Sequence, residues 1–576
     1  MRPPTPARTV PRILFCSPCG PYPKAPVDRD PIDFFYYRNT LGQGLFQLRS
    51  FQSWYSLHFL AQNLPVPSVV LENPTMRRFQ EEVECGGYQV VAIGFTVITT
   101  GRVLEMVSWL KRARPEIEVI LGGYGTAVFK DPDPAASTLQ SKADAICSGE
   151  GIAFMRTYLH NRWGLQIEPM HPDGRSLQQD FPPMEHCFVH TPIPYFRQLV
   201  LLGSLGCTFG CPFCATSSQF QRRRLLVTSG RELFNVLLAQ ARKHPDVQSA
   251  IIYDEDFLVD RHRVLEFMHL MERCAELQER PMLLTVFASL HTLGRYSTSE
   301  LIRCGVGTIY IGVESFQTDV LQRESIVKRD GDIEEAFRML HRHGINTLGS
   351  LILGWDGQTA AEMREESERF ATLNPTFYQV VPLHPVPGTP LWKRLKEEHR
   401  IPEGHAFEND SIDRFTFELR GAGREEALQA VSDTYRRLVA EGGPWPFRFA
   451  ETLLSGYREL SRMDGPEFRT RARAYRKLFR RILPLAMVGR LLYHGEGFAR
   501  RWERAMRITL RMAPLLTLVS AVVAMLAVPI LLALYAGARA SFWLRPSGDQ
   551  PTCMRREYAG DRSVSCTFAV PGRSVA

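Results

Sequence analysis

The chain has 576 residues, 44% of them hydrophobic and 23% charged. That describes a globular protein too long for one core, since single cores stop growing at roughly 250–300 residues. The net charge of +8 is modest at this size and gathers after about residue 469, which points to a membrane surface and away from nucleic acid. Twelve cysteines, three of them bunched between 207 and 214, fit a reducing compartment better than a disulfide scaffold. Residues 1–10 are proline-rich without a long apolar core, so no secretory signal is read there.

Residues 11–160 read as an α/β domain. Strands are expected at Arg12–Cys16, Gln89–Phe95, Glu118–Leu121 and Ala143–Cys147, with an amphipathic helix over 103–114. Strands alternating with helices predict a parallel, doubly wound, Rossmann-like sheet. Its strands end in distinctive turns: a threonine-rich one with Thr96 and Thr99, then Gly122-Gly123-Tyr-Gly-Thr126, then Gly149-Glu150-Gly151. Ligands of such sheets sit at those carboxyl ends. An aromatic-rich stretch over 30–63, with Phe34, Phe46, Phe51, Trp54 and Phe59, reads as extra core or as the lining of an apolar path. Cys16 and Cys19 end a strand in a Gly/Pro turn and read as structural.

Residues 161–198 read as a proline-broken linker (Pro169, Pro172, Pro182, Pro183, Pro192, Pro194). Residues 199–400 then alternate strand and helix about six times, predicting a partial (β/α)6 barrel with functional groups at the strand C-termini. Its first strand, Leu199–Leu205, leads into Gly206-Cys207-Thr-Phe-Gly-Cys211-Pro-Phe213-Cys214. Three soft thiolates on so short a loop suit iron–sulfur or zinc. Zinc ribbons and ordinary ferredoxin clusters want a fourth ligand, and none follows at motif spacing.

This loop resembles the signature of the radical S-adenosylmethionine (SAM) enzymes, Cys-x3-Cys-x-aromatic-Cys, with Phe213 at the aromatic position. The resemblance implies a 4Fe–4S cluster on Cys207, Cys211 and Cys214. It also implies SAM on the open iron, cleaved to a 5′-deoxyadenosyl radical with electrons from a donor such as flavodoxin or ferredoxin. Later strand ends extend the resemblance: Tyr253-Asp254-Glu255-Asp-Phe257, Gly312-Val-Glu314-Ser315, Gly354-Trp-Asp-Gly-Gln-Thr359 and His384-Pro-Val-Pro-Gly-Thr-Pro-Leu391. It places Phe213, Asp254, Glu255, Glu314, Ser315 and Gly354 around SAM. No side chain is assigned an acid–base role.

The turns of residues 11–160 resemble the cobalamin-binding domain that precedes the radical core in many of these enzymes, over about its last 60 residues. By that resemblance Thr96, Thr99, Gly122, Gly123, Thr126, Gly149 and Glu150 would line cobalamin. The middle turn is one residue shorter than the pattern, and Asp-x-His-x-x-Gly is missing; His58 lacks both the Asp and the Gly. The resemblance therefore implies cobalamin without a histidine ligand, or a domain that has lost it.

Residues 401–511 read as a basic helical region, with many Arg and Lys and no acid over 469–490. Residues 512–538 carry no charge and are long enough for a transmembrane helix. Arg500, Arg501, Arg504, Arg507 and Arg511 precede them, favouring a single pass with the catalytic domains cytoplasmic. Residues 539–576 read as a disordered tail. The expected protein is thus a membrane-associated, cobalamin-dependent radical SAM enzyme. It would C-methylate an unactivated carbon of a hydrophobic or lipid-like substrate, with no nucleic-acid partner. The alternatives are a radical SAM cyclase or oxidoreductase without methyl transfer, and a non-catalytic membrane iron–sulfur redox protein.

Overall fold

A computed structural model describes residues 10–567, apart from 24–35, 52, 166–176, 192–193, 221–222, 325, 327–330, 408–413, 549–552 and 560–561. Phe34 of the aromatic stretch and Pro169, Pro172 and Pro192 of the expected linker lie outside the described residues.

The N-terminal sheet runs parallel in the order Pro67–Glu72, Ile13–Cys16, Val90–Gly94, Glu118–Gly122, Ala145–Cys147. Ile13, Leu14, Phe15 and Cys16 are all buried, because helices cover both faces. Val103, Val107 and Leu110 pack on one side, Leu57, Ala61 and Leu159 on the other. Strands buried on both faces read as continuous apolar runs, which is why most were visible in the sequence. Pro67–Glu72 was not, because Pro65 and Pro67 frame it like a linker. The order reverses beside Ile13–Cys16, so the crevice where ligands bind such sheets opens between Cys16 and Gly94.

The second sheet is the half barrel. Pro194–Leu202, Ser249–Tyr253, Leu283–Ala288, Val306–Glu314, Asn346–Leu353 and Phe377–Pro382 pair in parallel in chain order. Two further strands extend it and correct the expected boundaries. Met184–Phe188, inside the supposed linker, pairs antiparallel with Pro194–Leu202, so the first barrel strand begins at Pro194. Leu48–Phe51, inside the supposed N-terminal domain, pairs in turn with Met184–Phe188. His186 ties the three strands: its Nδ1 is 2.9 Å from Ser50 Oγ and its Nε2 3.0 Å from Gln198 Oε1. The aromatic stretch therefore serves the barrel core, where Phe46, Tyr55 and Phe59 are buried.

After the barrel come helices Arg424–Gly442, Trp445–Leu460, Pro466–Leu492, Glu496–Met512 and Pro514–Leu544. The last is long and apolar enough to cross a membrane by length and composition. The tail beyond it is not the disordered segment expected. Met554–Ala559 pairs antiparallel with Pro67–Glu72, and Arg562–Thr567 pairs with Met554–Ala559. Its polarity hid it: the strand is held by Arg555 beside Glu82 at 2.9 Å, Arg556 beside Asp180 at 3.0 Å and the buried ring of Tyr558.

Candidate functional site

The cysteine loop leaves the C-terminal end of Pro194–Leu202, where an α/β sheet presents functional groups. Gly206 (φ +78°) and Gly210 (φ +69°) sit in the left-handed region that lets so short a loop close. Cys211 is buried, and Cys207 and Cys214 are half-buried. The Cys214 N–H donates to Cys211 O at 3.0 Å, and the Leu391 N–H donates to Pro212 O at 3.1 Å. Among the described residues no three thiol, imidazole or carboxylate groups form a ready ligand set, these cysteines included. As donors they fit: three soft sulfurs on one loop match three corners of an iron–sulfur cluster.

Phe213 meets Trp355 edge to face at 5.4 Å. The buried indole of Trp355 in turn donates to Glu314 O at 3.4 Å. Glu314 ends its strand at φ +60°, beside a register shift. A non-glycine residue held there costs roughly 1–3 kcal/mol, and such strain clusters at functional sites. Gly354, at φ +84°, lies where a Cβ would stand 2.2 Å from the Phe415 ring, so only glycine fits that turn.

Two other expected SAM residues are engaged within the protein. Asp254 is buried and accepts from Arg263 Nη1 at 2.6 Å, from Arg223 Nη2 at 3.2 Å and from the Ser204 hydroxyl. It braces the strand end beneath the cysteine loop. The Ser315 hydroxyl donates to buried Glu366, which also accepts from the Phe316 N–H at 2.8 Å. Burial raises the Glu366 carboxyl above its ordinary value, against these hydrogen bonds, which lower it. Ser315 thus shapes the turn that presents Glu314. Glu255, next to Asp254, is exposed.

The N-terminal turns converge on the same place. Thr96 and Thr99 cap one another: the Thr96 N–H donates to Thr99 Oγ1 at 3.1 Å and Thr99 Oγ1 to Thr96 O at 2.8 Å. Gly123 (φ +87°) lies where a Cβ would stand 2.9 Å from Phe95 O. The Thr126 hydroxyl donates to Gly123 O at 2.9 Å and accepts from Gln219 Nε2 at 3.0 Å. Gln219 sits on helix Ala215–Phe220, which follows directly from Cys214. The same helix meets Tyr124, whose hydroxyl is 3.0 Å from Thr216 Oγ1, and Lys130, whose Nζ donates to Ser218 O at 3.2 Å. The cysteine loop is thereby fastened to the glycine turn of the other sheet.

Between them lies a cavity of about 520 Å³, lined by Gly149, Glu150, Leu205, Gln219, Phe220, Arg223 and Arg224 among others. Glu150 caps helix Gly151–Trp163, accepting from Ile152 N at 2.6 Å and Ala153 N at 2.8 Å, and pairs with Arg224 at 3.2 Å. Two adjacent arginines therefore reach opposite walls, Arg223 to Asp254 in the barrel and Arg224 to Glu150 in the N-terminal domain. Glycine turns, open space where a Gly149 Cβ would stand and this cavity fit a large cofactor held by backbone. No histidine reaches it from His58, whose Nδ1 is 2.7 Å from the Tyr558 hydroxyl and whose Nε2 is 3.0 Å from Glu72.

Sequence reasoning missed Tyr124, Lys130, Gln219, Arg223, Arg224 and Trp355. A usable signal for two of them was the run Arg222-Arg-Arg224 so soon after the cysteine loop.

Residues 201–370 match the radical SAM superfamily. The chain is similar to the bacteriochlorophyllide d C-12(1)-methyltransferase of Chlorobaculum tepidum, 26% identical over 41% of this chain and 50% of that protein. It is also similar to the anaerobic magnesium-protoporphyrin IX monomethyl ester cyclase of Rubrivivax gelatinosus, 22% identical over 60% of this chain and 65% of that one. The chain thus spans less than two-thirds of these relatives' lengths. Among solved structures, the radical S-adenosylmethionine methyltransferase TsrM of Kitasatospora setae, with cobalamin and a 4Fe–4S cluster bound, shares the fold. Its TM-score is 0.51 over 82% of this chain and 99% of that one, at 13% identity.

Proposed function

From the match of residues 201–370 to the radical SAM superfamily we propose that the chain is a membrane-attached, cobalamin-dependent radical SAM enzyme that C-methylates a hydrophobic substrate. When bound, the cluster and SAM supply a 5′-deoxyadenosyl radical and cobalamin a methyl group. The chain's own residues position these groups. Cys207, Cys211 and Cys214 would hold the cluster. Glu314, preset by its strained backbone, offers a carboxylate to the ammonium or ribose of SAM, with Phe213, Glu255 and Gly354 around it and Asp254 and Ser315 bracing from behind. Thr96, Thr99, Gly122, Gly123, Thr126, Gly149 and Glu150 shape the seat for cobalamin. Arg223 and Arg224, paired with Asp254 and Glu150, tie together the rim between the two sites.

One observation carries this reading. The helix leaving Cys214 docks on the Gly123–Thr126 turn through Gln219, and a cavity lined by Gly149 and Glu150 of one sheet and Leu205 and Gln219 of the cysteine segment opens beside that contact. The two curated relatives, by name a methyltransferase and a cyclase of tetrapyrrole-type compounds, support a hydrophobic substrate. Helix Pro514–Leu544 supports membrane attachment. A small electron-transfer protein such as flavodoxin or ferredoxin would supply the electrons.

The likeness to the cyclase favours a second reading, radical oxidation or ring closure without methyl transfer. Anaerobic turnover separates the two. The reconstituted protein is given SAM, methylcobalamin, reductant and a membrane-lipid and tetrapyrrole extract, and 5′-deoxyadenosine and product masses are measured. A gain of one CH2 supports methylation; loss of hydrogen supports the second reading; no deoxyadenosine with any extract sinks both.

A further inference from the structure

The C-terminal helices cover the end of the barrel opposite the cysteine loop. Arg471 Nη2 donates to Ile302 O at 3.0 Å, just before Val306–Glu314 begins. Arg448 Nη1 donates to Pro375 O at 2.9 Å, just before Phe377–Pro382, and Trp445 stacks on Phe377 at 5.6 Å. On this floor lies the apolar helix Pro514–Leu544. Thr517, Ser520 and Ala524, spaced three and four apart on one face, are buried. Its Tyr535 ring is 6.2 Å from that of His190, just before Pro194–Leu202. Leu516, Ala521, Val528 and Leu531 are partly buried against the same core, and the opposite face is bare: Leu515, Leu518, Leu526 and Ile530 are 73%, 63%, 67% and 62% exposed.

At 31 residues the helix is about 46 Å long, ample for a crossing. The chain on its two sides argues otherwise. Before it, Phe498, Ala505 and Thr509 of Glu496–Met512 are buried against the same helices. After it, Ser547–Gly548 pairs with Tyr22–Pro23, and Met554–Ala559 pairs with Pro67–Glu72 along its whole length. Both flanks belong to one folded body, so both lie on one aqueous side. A crossing would tear Met554–Ala559 away and leave the backbone groups of Pro67–Glu72 unpaired at a sheet edge.

We infer that this helix lies flat in the headgroup layer of one leaflet of an anionic bilayer, setting the barrel floor on the membrane with the cysteine loop facing water. Charge selects this occupant. Arg476, Lys477, Arg480 and Arg481 on Pro466–Leu492, and Arg504, Arg507 and Arg511 before the apolar helix, are exposed. None of them has an ion-pair partner among the described residues, and the nearby acids on Glu496–Met512 are only Glu496 and Glu503. Arg476 and Arg480 also line a small cleft with Tyr457, Phe479 and Leu516 where the apolar helix begins. Two guanidinium groups over apolar walls suit a lipid phosphate with its chain along the helix. An apolar substrate then reaches the cysteine loop from the water side. The inference rests on the membrane attachment proposed above.

The test uses the full chain with a peptide tag at each end. Protease is added to intact spheroplasts and to inside-out membrane vesicles of the expressing cells, and purified protein is floated with phosphatidylcholine vesicles with and without phosphatidylglycerol. The expected result is membrane recovery with both tags cleaved only in inside-out vesicles, and flotation that needs phosphatidylglycerol. Tags cleaved from opposite sides would overturn the flat helix and leave membrane attachment standing. Neither membrane recovery nor flotation would overturn both; a dimer disrupted by Leu526→Glu would then assign the bare face to a second copy. Leu518→Glu/Leu526→Glu and, separately, Arg480→Glu/Arg504→Glu should each cut flotation roughly tenfold or more with melting temperature unchanged. Undiminished flotation in both would also overturn the inference.

Discussion

The Gln219 side-chain amide donates to the Thr126 hydroxyl across 3.0 Å, joining the helix that leaves the third cysteine to the glycine turn of the other sheet. Under the proposed function the bond would set the separation of the two cofactor seats without touching the chemistry of either. Gln219→Leu or Thr126→Val should therefore leave substrate-independent SAM cleavage within roughly threefold. Formation of methylated product should fall by roughly 10- to 100-fold, since a shift of about 1 Å costs that much. Parallel loss of deoxyadenosine and product would instead mean that the bond merely stabilises the fold.

Cys211 is the most enclosed of the three loop cysteines. In Cys211→Ala the visible iron–sulfur absorption and deoxyadenosine should vanish together, while circular dichroism and melting stay close to those of the parent. Retention of full iron content after reconstitution would remove the cysteine loop from the cluster.

Asp254 and Arg263 form a buried ion pair at 2.6 Å, both almost without solvent contact. Removing Asp254 strands the buried Arg263, so Asp254→Asn should destabilise by about 3–5 kcal/mol, whereas Arg263→Met leaves Asp254 its 3.2 Å contact with Arg223 and should cost less. The paired change Asp254→Leu/Arg263→Met should recover a good part of that. Chemical denaturation of the apoprotein measures it; additive losses in the double variant would contradict the pairing.

His186 is buried among three strands, and desolvation pushes its pKa from 6.5 down to about 3, against the Gln198 hydrogen bond, which raises it. The unfolded chain therefore takes up a proton near pH 6.5 that the folded chain refuses until about pH 3. Stability should be fully present above pH 6.5 and decline below it, by up to about 1.4 kcal/mol per pH unit from this side chain. His186→Gln should flatten the slope of denaturation free energy against pH by close to one proton. An unchanged slope would assign the acid sensitivity elsewhere.

The sequence carried the cysteine loop and most of the barrel because those signals are local. Ser249–Tyr253 and Phe377–Pro382 are short apolar runs bounded by helices of regular period, and three cysteines fix a loop by spacing alone. What it hid depended on partners far along the chain. The partner of Asp254 was hidden because Arg263 faces it only after a strand, a turn and a helix have formed. Leu48–Phe51 looked like part of the first domain because its partner, Met184–Phe188, is buried in a proline-rich stretch. The apolar run after residue 512 is long enough for a crossing by length and composition, and neither reports where the chain goes next.

That return of the chain bears on how the protein is made. Tyr558 closes on His58 and Met554–Ala559 on Pro67–Glu72, partners about 500 residues apart. During synthesis the first sheet leaves the ribosome with Pro67–Glu72 as an open edge, and it stays open until Met554–Ala559 has been translated. The five parallel strands can form early, but the seam that finishes them is a late step and one of very long range, the kind that folding reaches slowly. A chain stopped short, even just past the apolar helix, would leave that edge free to recruit a strand from another molecule.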